Sequence, residues 1–316
     1  LNKPFFIDVR RIDAQAVLID KFLEHDTAGF TSEKLSDTTP IGRVIVVLGH
    51  GDRSLDPGYR TGQGPVPTPQ ASDQSATTSG DFSKAPEGSV AVIPLKGDMM
   101  KEGTMCSYGT EEIADVIREA ADARNITGIR LDIDSGGGAV DAIPPMLDAI
   151  AYSQQKGKPV VAACDLCASA AYYVASHCDR IVAVNDISAE FGSIGVMMQF
   201  PDYAKYYEQK GIKIHTIYSD LSDYKNAPFE AARKGDYKAI KQEMLNPLAQ
   251  QFQEAVKAHR KDLKQDVDGI LNGRVFYARQ ALEHGLIDQV GTVDTATGLV
   301  RQLSASAALE QYAASF

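Results

Sequence analysis

An α/β fold, with a parallel or mixed sheet covered by helices, is the class this sequence predicts. Two observations carry it. From Ser89 onward, apolar runs of strand length recur at Val90–Leu95, Ile129–Ile133, Pro159–Ala163 and Arg180–Val184. Between them lie segments whose apolar residues follow helical spacing, and that alternation is the mark of strands crossed over by helices.

The elements follow in order. Phe5 to Phe30 reads as a short strand and an amphipathic helix, and Val44–Leu48 as a second strand. From Gly51 to Gly88 the chain turns to Gly, Pro, Ser, Thr, Asp and Gln with almost no aliphatic residues. Such a stretch buries too little apolar surface to offset its chain entropy, which predicts a linker. After the strand at Val90, Thr110 is placed to cap a helix with Glu111 and Glu112 in its first turn and Ile113, Val116, Ile117 and Ala120 on one face. Behind Ile129–Ile133 come Gly136, Gly137 and Gly138, then a helix with Pro144 and Pro145 in its first turn, where proline is tolerated. Ala168–Ser176 reads as a helix, Ile212–Tyr218 as a strand, and Asp236 to about Leu263 as one long helix kinked at Pro247. Gly285 suits a helix C-terminus, and Ala305–Phe316 reads as a weak helix or a tail. The expected organisation is an extension (1–50), a linker (51–88), one domain (89–295) and a tail (296–316).

Composition narrows the function. The 316 residues are 44% hydrophobic and carry a net charge of −10, without the clustered Lys and Arg that a nucleic-acid binder uses on phosphates. No apolar run is long enough to span a bilayer, and the first residues lack the apolar stretch and cleavage site of a signal peptide. The expectation is a soluble, cytoplasmic protein. Four cysteines, Cys106, Cys164, Cys167 and Cys178, are too few for a disulfide scaffold. Cys164 and Cys167 form a C-x-x-C, but zinc would need a second ligand pair, and only His177 and Cys178 lie near; small residues packed at a strand end is the simpler reading. No metal and no cofactor is expected.

Two segments carry candidate chemistry. The first is Asp134-Ser135-Gly136-Gly137-Gly138, where glycines let backbone N–H groups face a phosphate or an oxyanion, or simply make a tight turn. No Gly-Lys-Ser/Thr follows, so it is not a Walker loop. The second is Cys167–Ser176, where Ser169 follows a strand at a helix start, as a nucleophile or as an ordinary cap. A serine nucleophile needs a base. His177 is the histidine nearest in sequence, and on one helix eight residues would place it roughly 12 Å away. Lysine is the other option, because an amine held neutral by burial can accept a proton. Lys225, beside Tyr224, Ala227, Pro228 and Phe229, is the candidate.

From Val90 to about Thr292 the chain resembles the signal peptide peptidase A (protease IV) family of serine–lysine peptidases, which includes phage prohead proteases of the protein C type. The resemblance rests on D-S-G-G-G-A-V (134–140), A-S-A-A-Y-Y-V-A-S (168–176), F-G-S-I-G-V (191–196), D-Y-K-N-A-P-F (223–229) and G-R-V-F-Y-A-R-Q-A-L-E-H-G-L-I-D (273–288), in the family's order. It departs from the family at Asp134, at Gly136 in place of proline, and at Ala170 and Ala171 in place of two glycines. The resemblance implies Ser169 as nucleophile and Lys225 as base. It also implies an oxyanion hole from the N–H groups of Gly137 or Gly138 with that of Ala170. The implied fold is the Clp-protease/crotonase-like spiral of β-β-α units, here behind an N-terminal extension and a long linker. Further implications are a peptide or protein substrate, a homo-oligomer enclosing its sites, and either a phage-type role on scaffold or capsid proteins inside a procapsid or that of a soluble signal-peptide-peptidase-like enzyme. The alternatives are a crotonase-like acyl-CoA enzyme, which would give Lys225 no role, and a non-catalytic capsid assembly protein with the same fold.

Overall fold

The computed structural model describes residues 5–7, 46–48, 82–103 and 108–314. Two short strands, β1 (Phe5–Ile7) and β2 (Val46–Leu48), come first. Then follow β3 (Ser89–Lys96), α1 (Thr110–Asp122), β4 (Ile126–Ser135), β5 (Gly137–Ala139), α2 (Ile143–Gln155), β6 (Val160–Ala168), α3 (Ala170–Ser176) and β7 (Arg180–Ala183). The rest of the chain forms β8 (Glu190–Gly192), α4 (Ala204–Gln209), α5 (Ala227–Arg233), α6 (Asn246–His259), β9 (Val275–Tyr277), α7 (Ala278–Glu283), β10 (Gln289–Val290) and α8 (Val293–Ala314).

The class is α/β, as the alternation predicts. The main sheet runs β10-β7-β6-β4-β3-β2, parallel throughout except for β2, which is antiparallel to β3. Parallel strands covered on both faces read as nearly unbroken apolar runs, and Val90–Ile93 is one. Ala91 and Ile93 join the larger core with α1, α2 and α3. Val90, Val161 and Val182 point to the other face, against Ala296 and Val300 of α8. Arg130 is buried on β4; its guanidinium pairs with Asp132 at 2.7 and 2.9 Å and donates to Thr297 Oγ1 of α8 at 2.7 Å.

β6 is the branch point of the eight-stranded sheet. Val161–Cys164 pair with β7, whereas Leu166–Ala168 pair with β8, which pairs antiparallel with β9. β4, β5 and α2 follow as strand, strand and helix. β5 stands apart from the main sheet and pairs antiparallel with β1.

Four expectations need correction. Gly109, in an extended conformation, precedes the first helical residue of α1, and its N–H donates to Glu112 Oε2 at 2.8 Å; Thr110 is already inside the helix and buried. Residues 212–218 form no strand: Ile214 and Ile217 are exposed, and no partner strand lies among the described residues to satisfy their backbone. The long helix starts at residue 238, runs through a π-helical stretch (Ile240–Leu245) into α6 and ends at His259, short of Leu263; Pro247 falls in the first turn of α6. The residues just past 295 belong to the packed part of α8, since Ala296 and Val300 are fully buried, whereas its turns from Ala305 are largely exposed. At the other end, Phe82 is buried and its carbonyl accepts from Asn125 Nδ2, so the packed region includes residues from 82 onward. The helix expected within residues 8–30 and most of the expected linker lie outside the described residues.

Candidate active site

Ser169 stands where β6 ends and α3 begins. Its backbone is at φ 54°, ψ −123°, a conformation that a side chain makes costly. Two backbone hydrogen bonds hold it: Ser169 N–H donates to Gly192 O at 2.8 Å, and its carbonyl accepts from Tyr173 N–H at 2.9 Å. The first joins β6 to β8, where Ala168 is the partner of Gly192. Ser169 is 1% exposed, and every residue of α3 is buried behind it. Tyr172 anchors that helix with a hydrogen bond from its hydroxyl to Leu286 O at 2.8 Å.

β5 supplies the second wall. Met99 N–H donates to Gly137 O, and Ala139 N–H donates to Met99 O, both at 2.8 Å. Backbone polar groups alternate sides along a strand, so the N–H and C=O of Gly138 turn away from Met99. A Cβ on Gly138 would sit 2.0 Å from Met99 O, so the approach leaves no room for a side chain. Gly137, at φ 102°, adopts a conformation suited to glycine, and its N–H donates to Ser135 Oγ at 3.1 Å. β5 packs against α3, so this strand lies beside the helix that begins after Ser169. Ala170 is the first residue of α3, and its N–H has no acceptor within the helix.

The structure therefore groups Ser169, Ala170, Gly137 and Gly138. Lys225 is placed differently. It lies in an exposed turn where its N–H donates to Ser222 O, just before Asn226 at φ 65°. Its ammonium forms no hydrogen bond with Ser169 Oγ among the described residues. The expected apolar shelter is incomplete: Tyr224 is 68% exposed, its hydroxyl donating to Glu243 Oε2 at 2.7 Å, and Phe229 is half-buried, edge-on to Phe200.

His177 is the helix-end residue its spacing suggests. Its Nδ1–H donates to Tyr173 O at 2.9 Å, and its ring stacks on Tyr173 and meets His259 at 3.9 Å between centroids. Burial holds its pKa down to about 4, against the opposing pull of the Tyr173 carbonyl. Cys164, Cys167 and Cys178 are buried, and burial raises the thiols of Cys164 and Cys178 well above their usual range. Among the described residues no group of three His, Cys, Asp or Glu is placed to hold a metal ion.

Ser193 is a residue the sequence reading left without a role. It follows Gly192 as Ser169 follows Ala168, and it too has φ 54°. Its N–H donates to Arg274 O at 2.9 Å. The only signal in the sequence was its place inside F-G-S-I-G-V.

Residues 152–307 match the family model described as Peptidase family S49. Protease 4 of Haemophilus influenzae is 26% identical over 216 residues, 68% of this chain and 34% of that protein. Head-tail preconnector protein GP5 of Enterobacteria phage P21 is 30% identical over 207 residues, 64% of this chain and 40% of that protein. Capsid assembly protease C of Escherichia phage lambda is 29% identical over 215 residues, 66% of this chain and 48% of that protein. The chain thus spans between a third and a half of the length of these relatives. Among solved structures, the 1510-N membrane-bound stomatin-specific protease with a substrate peptide shows 17% identity and a TM-score of 0.41, over 67% of this chain and 79% of that one. An enoyl-CoA hydratase from Polaromonas sp. JS666 shows 14% and 0.40, over 73% and 83%. At those scores the likeness does not separate peptidase from acyl-CoA chemistry. Over residues 152–307, just under half of its length, the chain is similar to peptidase family S49.

Proposed function

We propose that this chain is a serine peptidase in which Ser169 is the nucleophile and Lys225 the general base. The observation that carries the reading is the strained Ser169 backbone, beside a glycine strand in which the Gly138 N–H faces away from Met99. In the reaction, Ser169 Oγ attacks the scissile carbonyl carbon and its proton passes to neutral Lys225 Nζ. The N–H groups of Gly138 and Ala170 stabilise the oxyanion of the tetrahedral intermediate. Gly137 contributes less, because its N–H is already given to Ser135. Collapse expels the amine, which takes the proton from Lys225 and leaves an ester on Ser169. Water, deprotonated by Lys225, then hydrolyses that ester.

Lys225 acts when its segment closes over a bound substrate. The segment's exposed apolar side chains, Ile214, Ile217 and Leu221, are 65%, 90% and 94% exposed, which is the surface expected of a part that another surface covers. A second copy of the chain is the proposed cover, giving a homo-oligomer with enclosed sites. The phage relatives favour scaffold or capsid proteins as substrates and a procapsid as the setting. Among the described residues no helix is long and apolar enough to cross a membrane. Hydrolysis of an unfolded protein by the parent chain, compared with Ser169→Ala and Lys225→Met, tests the reading; turnover by either variant at the parental rate overturns it.

A further inference from the structure

The outward edge of β5 is occupied in this structure, and by the chain itself. β1 runs antiparallel to β5 with Phe5 opposite Ala139, Phe6 opposite Gly138 and Ile7 opposite Gly137. Met99 takes the other edge, through Gly137 O and Ala139 N–H, so the edge facing β1 is the one to which the Gly138 N–H and C=O point. The main-chain donor proposed for the oxyanion therefore lies on the edge where Phe6 is paired. An extended peptide presenting its carbonyl beside Ser169 would need that same edge, because strand addition uses the unpaired groups of an exposed strand. One edge cannot pair with two strands.

We propose that residues 5–7 are an internal occupant of the substrate edge, so that β1 must leave β5 before a peptide can bind. This inference rests on the peptidase reading. It makes the free chain self-limiting: substrate competes with a tethered strand, whose effective concentration is set by the connecting chain. The competition acts on substrate capture and leaves the chemical step of bound substrate unchanged. Weakening β1 should raise kcat/KM, chiefly by lowering KM.

The test is Phe6→Pro, read in two ways. Proline removes the Phe6 N–H and is poorly accepted within a paired strand, so β1 should detach. Amide hydrogen exchange at Gly138 reports the pairing without any need for turnover, with the amides of β4 and β6 as the control for folding. Should Phe6→Pro fail that control, glycine at positions 5, 6 and 7 gives the same comparison. The expected result is faster exchange at Gly138 together with a several-fold rise in kcat/KM on an unstructured peptide. A synthetic peptide of residues 3–9, added in trans, should raise KM again. Unchanged exchange at Gly138 overturns the proposal, since no strand was displaced. Faster exchange with unchanged kcat/KM also overturns it, since the strand then blocks nothing. Faster exchange with no turnover in parent or variant overturns the peptidase reading itself, and the inference with it.

Discussion

The backbone N–H of Ser169 donates to the carbonyl of Gly192 at 2.8 Å, tying the residue after β6 to the last residue of β8. The bond explains how a serine keeps φ at 54°. The end of β6 pairs with β8 through Ala168 and Gly192, and that pairing leads directly into the turn before α3. Gly192 tolerates no substitute, because it stands at φ 114° and a Cβ there would lie 2.6 Å from Arg274 O. Gly192→Ala should therefore lower both stability and turnover, a coupled loss readable by thermal unfolding and peptide hydrolysis. A stable but inactive variant would mean that the bond shapes the site without holding the fold.

Gly138→Ala is the sharper steric case. The added carbon would meet Met99 O at 2.0 Å, a backbone atom that cannot rotate aside. β5 must shift, and overpacking of this kind costs about 1–3 kcal/mol. The displaced N–H should also lower kcat more than it raises KM, since an oxyanion donor acts on the transition state. Circular dichroism melts and steady-state kinetics check both.

Ser193 shares with Ser169 a left-handed backbone at the end of a neighbouring strand. Ser193→Ala removes only the hydroxyl and leaves the N–H bond to Arg274 intact. If the hydroxyl takes part in the site, kcat falls about tenfold or more with no change in melting temperature. An unchanged kcat would assign Ser193 a backbone role alone.

The main sheet and its covering helices were legible in the sequence; the site residues came from the motif resemblance and stand as a proposal. Continuous apolar runs such as Val90–Leu95 are buried on both faces, and glycines cluster where backbones touch, so both leave local signals. What was not legible depended on neighbours. Ile212, Ile214, Thr216 and Tyr218 alternate as β-favouring residues of a strand would, yet a strand forms only if another supplies hydrogen bonds. Lys225 was expected among apolar side chains because Tyr224, Pro228 and Phe229 adjoin it in sequence. Adjacency along a turn does not bury a side chain, and Tyr224 turns outward to Glu243. Pro247 was read as a kink; the π-helical stretch Ile240–Leu245 just before it left no signal in the sequence.

Two ion pairs should differ in worth. Arg260 is buried, its guanidinium reaching Asp288 at 2.9 Å and Gly285 O at 3.2 Å, while Asp288 also accepts from Ile181 N–H. Arg260→Met strands Asp288 and should cost about 3 kcal/mol. Arg279 pairs with Asp186 at an exposed site, where Arg279→Met should cost about 0–1 kcal/mol. Urea unfolding of both variants makes the comparison, and equal losses would contradict it.

His177 predicts a pH dependence of stability. Burial lowers its folded pKa to about 4, whereas an unfolded histidine titrates near 6.5. Between those values the unfolded chain binds a proton that the folded chain refuses. Its contribution is therefore constant above about pH 6.5 and is lost progressively as pH falls toward 4. His177→Phe keeps a ring against Tyr173 and removes the titration. The parent should lose more stability than this variant between about pH 7 and about pH 4.5 in urea melts. Parallel losses would show that other groups set the acid limit.

The central claim, a nucleophilic Ser169 activated by Lys225, is tested most directly by trapping the serine. The parent is incubated with a fluorophosphonate, digested, and the modified residue located by mass spectrometry, with Lys225→Met treated alongside. The account predicts an adduct on Ser169 in the parent that is absent or greatly slowed in Lys225→Met. An adduct on another residue, or equal labelling of Ser169 without Lys225, would contradict it.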